Sequence, residues 1–185
     1  TIYSLVGRND TVLVDRTDHA SIIDGCRLAF GNTRKYLHND MDSLAYTLKA
    51  CEGNGKLIVV DGVFSMEGDI AKLPEIVDLA DEHDAVVMVD DAHGVGVMGE
   101  LGRGTCDHFG LTDRVHLIMG TFSKSLASVG GFIASDEDTI HYIKHIARAL
   151  MFSASMPPGS VASVSAAVDI MLEERWRHEA LWRNN

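Results

Sequence analysis

The sequence predicts an α/β domain built on a mostly parallel sheet. Three observations predict it. Short runs rich in β-branched residues alternate with stretches of helical periodicity. The apolar runs are continuous instead of alternating with polar residues, as strands covered on both faces require. Unusual polar clusters follow directly on those runs, where open α/β sheets gather their ligands. In chain order, residues 12–15 (VLVD) read as a strand and 19–30 as a helix. Residues 41–52 form a second amphipathic helix. The run 56–64 (KLIVVDGVF) is a buried strand ending in a glycine-containing turn. Residues 73–83 form a helix with Pro74 and Glu75 in its first turn. Residues 85–92 and 115–122 are two more buried strands, and 136–149 and 159–175 are helices. Pro157 and Pro158 break the chain before the last of these. No internal repeat or low-complexity linker interrupts this order.

Composition limits the function classes. With 185 residues, 46% hydrophobic and 23% charged, the chain is long and apolar enough for one domain with a core. A net charge of −11 argues against a broad electrostatic grip on nucleic acid, while leaving room for one basic cleft. Cys26, Cys51 and Cys106 are odd in number and widely spaced. They fit neither a disulfide framework nor a zinc pattern, and point to a reducing, cytoplasmic compartment. No run of about 18 apolar residues predicts a membrane span. The longest candidate, 161–172, is interrupted by Ser163, Ser165 and Asp169. The first residues lack the ordered regions of a signal peptide and an initiator Met, so a piece of a longer protein is expected.

Three strand ends carry candidate chemistry: residues 61–69, 89–94 and 120–125. Lys124 lies in a Gly/Thr/Ser-rich turn after a strand. A loop lysine is ordinarily solvated. A partly desolvated one with a lowered pKa attacks aldehydes. Asp90 and Asp91 end a buried strand, where adjacent carboxylates are costly unless a cation needs them. That cation is either a divalent metal or a protonated pyridine nitrogen; the alternative is an aspartate that caps the next element. His93 suits proton transfer or donation to a phenolate, or joins the aspartates as a metal ligand. His19 opens a helix, where it stacks on a flat ring or does nothing. The hydroxyls of Thr121 and Ser123, with the N–H groups of their turn, suit a phosphate. His141 and His145 have metal-binding spacing but lack the glutamate of the zinc-protease motif, and read as a solvated or partner-facing surface.

Six segments in order, 18–25 (DHASIIDG), 38–44 (HNDMDSL), 61–76, 87–105, 120–135 (GTFSKSLASVGGFIAS) and 151–158 (MFSASMPP), resemble the α-oxoamine synthase family of fold-type-I pyridoxal-phosphate enzymes. The resemblance covers nearly the whole chain, and its lysine segment looks most like the bacterial serine palmitoyltransferase branch. It implies the three-layer, aminotransferase-like cofactor domain over residues 1–175, with 176–185 beginning a truncated C-terminal region. It implies that Lys124 carries pyridoxal phosphate as a Schiff base, that Asp90 pairs with the pyridinium nitrogen and that His19 stacks on the ring. His93 would bond the phenolic oxygen, with Ser65 near that side. Thr121 would contact the phosphate. Ser153 would reach a phosphate across a homodimer interface, although Ala154 replaces a hydroxyl residue found in many members. No resident metal is implied.

The implied reaction condenses an amino acid with an acyl-CoA and releases carbon dioxide. L-serine with palmitoyl-CoA is the expected pair, giving 3-ketodihydrosphingosine in sphingolipid biosynthesis. The 8-amino-7-oxononanoate synthase, glycine C-acetyltransferase and 5-aminolevulinate synthase branches share this chemistry. Family members are roughly twice as long. The upstream turn that supports cofactor and substrate, and the small domain with its carboxylate-binding arginine, are not in this sequence. The chain alone is therefore expected to bind the cofactor weakly, or to be an inactive fragment.

Overall fold

Burial on both faces fixes the central strands. In a computed structural model describing residues 1–51 and 55–185, Val12, Leu13 and Val14 of β1 (Thr11–Asp15) are fully buried. So are Ile58 and Val59 of β3 (Lys56–Asp61) and Val87 and Val89 of β4 (Val86–Asp90). Burying one such side chain contributes about 1.5–3 kcal/mol, more than the roughly 1 kcal/mol span of strand propensities. Core placement, not intrinsic preference, therefore sets these strands.

Successive side chains point to opposite faces and meet different helices. Leu13, Ile58, Val60, Val87 and Val89 pack with Leu44 and Leu48 of α3 (Met41–Lys49) and Leu73, Ile76, Val77 and Ala80 of α4 (Leu73–Glu82). Val12, Val14, Leu57, Val59, Met88 and Leu117 face the other side. There they meet Ile2 of α1 (Ile2–Leu5), Ile22 and Cys26 of α2 (Ala20–Leu28), and Ile143 of α6 (Glu137–Ile146). The result is a three-layer α/β/α sandwich. Its sheet has six strands in the order β2-β1-β3-β4-β5-β6, with β2 at Asn32–Tyr36, β5 at Leu117–Thr121 and β6 at Gly131–Ala134. All neighbours are parallel except β6, which returns antiparallel to β5.

The two edge strands were not legible as strands. In β2 (NTRKY) only Tyr36 is buried, so no apolar run marks it. The predicted strands end earlier than expected, at Asp61, Asp90 and Thr121, because the chain turns into loops where the polar clusters begin. The predicted helix 136–149 is two: α6 stops at Ile146 and α7 (Arg148–Met151) follows Ala147, whose backbone is extended. Likewise α8 (Pro158–Glu173) and α9 (Arg175–Arg183) are separated by a non-helical Glu174. The predicted helix 41–52 ends at Lys49, and its last residue, Glu52, lies outside the described residues. Among the described residues no helix is long and apolar enough to cross a membrane.

One buried carboxylate organises the loop after β4. Asp91 is 1% exposed. Its Oδ2 accepts from the Thr105 N–H at 2.7 Å and its Oδ1 from the Thr105 hydroxyl at 2.6 Å, Thr105 being the first residue of α5 (Thr105–His108). Its own N–H donates to the Met119 carbonyl of β5. The loop 92–104 is thereby closed on itself beside the sheet end. Hydrogen bonds to a buried charged group contribute about 1.5–3 kcal/mol each, so Thr105→Val, which keeps shape and removes the hydroxyl, is expected to lower stability by about 1–3 kcal/mol. Chemical denaturation of the variant measures this; an unchanged midpoint would contradict the anchoring role.

Candidate active site

The C-terminal ends of β1, β3 and β4 place five aspartates close together. Asp15, Asp18, Asp61, Asp90 and Asp91 are all at most 7% exposed. Asp15 is satisfied from the outside. Its Oδ1 accepts from the Thr17 N–H and hydroxyl and lies 3.0 Å from His38 Nδ1. Its Oδ2 accepts from the Asn39 N–H at 2.8 Å. His38 Nε2 reaches Asp69 Oδ2 at 3.1 Å, and its ring meets Phe64 edge-on. Asp18 bonds the backbone N–H groups of Asp15 and Asp61.

Asp61 is engaged only at Oδ2, by the His19 N–H, and Asp90 is likewise engaged at one oxygen among the described residues. Its Oδ1 accepts from the Ala92 N–H at 3.1 Å, and among the described residues no donor engages Oδ2. It lines a pocket with His19, Ser65, His93, Thr121 and Lys124. Desolvation raises its pKa above the usual carboxylate value, opposed by the Ala92 bond and by His19, His93 and Lys124. A donor-free oxygen of a mostly buried carboxylate, open to a pocket, is suited to a cationic N–H. Burial, and then Lys124, lower the His93 pKa. That favours a neutral imidazole at neutral pH.

Lys124 stands at the tip of a turn tied at several points. The Phe122 N–H donates to the Gly130 carbonyl, and the Ser128 N–H to the Phe122 carbonyl. Leu126 is buried behind the lysine, and the Ser125 hydroxyl donates to the Val95 carbonyl at 2.8 Å. Gly96 faces this contact with a φ of +84°; a β-carbon there would collide with Ser125. Only glycine lets the two loops approach so closely. Lys124 is exposed, as a lysine in such a turn ordinarily is, and not partly desolvated. The Thr121 and Ser123 hydroxyls lie 2.8 Å apart beside it, and the Ser123 N–H donates to Thr121 Oγ.

Six of the seven residues to which the family resemblance assigns a role thus share one pocket, together with Ser123. Ser153 does not line it; it is exposed after α7. Asp91 does not line it either, since both of its oxygens are held by Thr105. The rival metal trio of Asp90, Asp91 and His93 therefore does not converge, and no three metal-binding side chains do so among the described residues. His141 and His145 lie exposed against each other, with ring centroids 4.3 Å apart. Sequence reasoning missed Ser21, Asp61 and Met119 of the lining. Asp61 and Met119 occupy the positions paired with Asp90 on either side, a relation visible only once strand order is known.

Burial pushes the Asp18 carboxyl up to about 9 and the Asp61 carboxyl up to about 7. Such groups are neutral in both states below about pH 4. Above that, the folded protein holds protons that the unfolded chain has released, so stability falls as pH rises. Between about pH 7.5 and 9 Asp18 contributes to the decline, joined toward pH 9 by the Cys26 and Cys106 thiols, which burial pushes up to about 11 and about 12. Melting temperature is expected to decline across that window, and Asp18→Asn to flatten the decline. An equally steep decline in the variant would contradict the assignment.

Comparison with known proteins gives the chain a family. The family model for aminotransferase class I and II matches residues 2–185. A serine palmitoyltransferase of Sphingobacterium spiritivorum is 61% identical over 99% of this chain and 46% of its own length. An 8-amino-7-oxononanoate synthase of Symbiobacterium thermophilum is 48% identical over 97% of this chain and 46% of its own. The solved serine palmitoyltransferase of Sphingomonas wittichii superposes with a TM-score of 0.95 at 38% identity, covering 99% of this chain and 46% of that one. A variant of the enzyme from S. paucimobilis, carrying a PLP–myriocin aldimine, gives the same TM-score at 36% identity and the same coverage. The chain spans about half the length of the curated relatives it matches. Matched by that family model over residues 2–185, the chain belongs to the aminotransferase class I and II family.

Proposed function

We propose that this chain is the cofactor-binding part of a pyridoxal-phosphate-dependent C-acyltransferase that condenses L-serine with palmitoyl-CoA, releasing CoA and carbon dioxide and giving 3-ketodihydrosphingosine. The observation that carries the reading is Asp90. Its donor-free Oδ2 lies in a buried carboxylate of a pocket that also presents a lysine amine and the hydroxyls of Ser21, Ser65, Thr121 and Ser123.

Bound there, pyridoxal phosphate supplies an aldehyde that an amine captures and a ring that draws electrons from an attached amino acid. The residues fit this group. Lys124 Nζ would be the amine that holds the aldehyde, and as a free amine it would serve as base for a substrate proton. Asp90 Oδ2 would accept from the ring N–H and favour its protonated form. Neutral His93 would donate to the phenolic oxygen, with Ser65 on the same side. His19 would offer its flat imidazole to the ring. Thr121, with Ser123, would bond the phosphate. The rival oxononanoate reading is favoured by the 48% identity to that synthase. It differs in substrates, alanine and a pimeloyl thioester, not in these roles.

The finer assignments belong to the same proposal. Residues 1–175 would form the cofactor domain, and 176–185 would begin the C-terminal region. The protein would act as a homodimer with the site at the interface. Ser153 would contribute from there, since Leu150, Met151 and Phe152 beside it are all more than half exposed, an apolar run suited to a second copy. Three free cysteines support a reducing, cytoplasmic setting.

The test is CoA release from the full-length protein loaded with pyridoxal phosphate, across serine with palmitoyl-CoA, alanine with a pimeloyl thioester, and glycine with acetyl-CoA or succinyl-CoA. Serine with palmitoyl-CoA is expected to turn over at least about tenfold more efficiently than the others. A preference for alanine would move the protein to the oxononanoate branch, and turnover of none would remove the acyltransferase reading.

A further inference from the structure

Asp61 has no part in the chemistry assigned above, yet it stands in the pocket wall. It ends β3 directly across the parallel ladder from Asp90. Its Oδ2 accepts from the backbone N–H of His19 at 2.8 Å. Its own N–H donates to Asp18 Oδ1 at 2.9 Å. Two carboxylates therefore cross: Asp18, the neighbour of His19, reaches over to β3, and Asp61 reaches back from β3 to His19. The crossing fixes the 18–19 peptide against the sheet end. The His19 imidazole itself is exposed and meets only Ser21, with Nδ1 2.8 Å from its hydroxyl and 3.3 Å from its nitrogen. Its position relative to Asp90 is set by the backbone tie.

We propose that Asp61 is a positioning residue: its carboxyl fixes the start of α2 and so sets where the His19 imidazole stands relative to Asp90. The consequence for a bound ring rests on the cofactor reading above; the tie to His19 does not. Burial, then the neighbouring Asp90, push the Asp61 carboxyl up to about 7. The tie therefore needs the acceptor oxygen, not the charge. Asparagine keeps that oxygen and alanine removes it.

The test uses full-length protein and four variants: Asp61→Asn, Asp61→Ala, His19→Ala and the double Asp61→Ala/His19→Ala. Two readouts are followed, amide hydrogen exchange of the His19 N–H without cofactor, and the Kd for pyridoxal phosphate. Asp61→Ala is expected to speed exchange and weaken binding by about tenfold each, the effect of one lost bond to a buried carboxyl, while Asp61→Asn stays within about threefold in both. In the His19→Ala background, which keeps the backbone N–H, Asp61→Ala is expected to speed exchange at residue 19 as before but to add nothing to the loss of pyridoxal-phosphate binding. Unchanged His19 exchange in Asp61→Ala, or binding losses that multiply in the double variant, would overturn the proposal. Should the alanine variant not fold, Asp61→Asn decides: a binding loss as large as that of His19→Ala overturns it. If wild-type protein binds no pyridoxal phosphate, the cofactor reading falls, and the exchange comparison alone settles the role of Asp61.

Discussion

The structure depends on burying five carboxylates at one end of one sheet. Asp15, Asp18, Asp61, Asp90 and Asp91 are each costly to desolvate, and each must find donors or keep its proton. Four of them find donors in the chain: backbone N–H groups, Thr17, His38 and Thr105. These bonds stitch the loops after β1, β2 and β3 to one another and close the loop after β4 on itself. Asp61 and Asp90 are each engaged at one oxygen only among the described residues. Both line the pocket, where such acceptors suit a cation.

Position follows from topology. Parallel strands deliver all their C-terminal ends to one edge, so β1, β3, β4 and β5 bring His19, Asp61, Asp90 and Thr121 together although more than 100 residues separate the first from the last. Lys124 then enters from the turn joining β5 to the antiparallel β6, held by Ser125 against the loop that carries His93. A helical layer on each face excludes water from the strands and leaves the edge open.

Much of this was legible in the sequence. Continuous apolar runs marked the buried strands because burial on both faces demands them. The polar clusters marked the sheet end because the apolar runs stop there. The edge strands β2 and β6 were not legible: an edge strand exposes most of its residues and needs no apolar run. The breaks at Ala147 and Glu174 carry neither proline nor glycine, so periodicity ran through them. The different fates of Asp90 and Asp91 were hidden as well. Adjacent residues on a strand point to opposite sides, and only the fold reveals that Thr105 waits on one side and the pocket on the other. Asp61 was overlooked because its importance comes from its strand partner, not its sequence neighbours.

The central claim is that Lys124 is a cofactor anchor because Asp90, His93 and His19 surround it, not because it is a reactive lysine by itself. Incubating the full-length protein with pyridoxal phosphate, reducing with borohydride and mapping the modified peptides tests this directly. The account predicts the pyridoxyl mass on Lys124, near one per chain, and its loss in Lys124→Ala without transfer to another lysine. Label spread over exposed lysines, or persisting undiminished in Lys124→Ala, would contradict it.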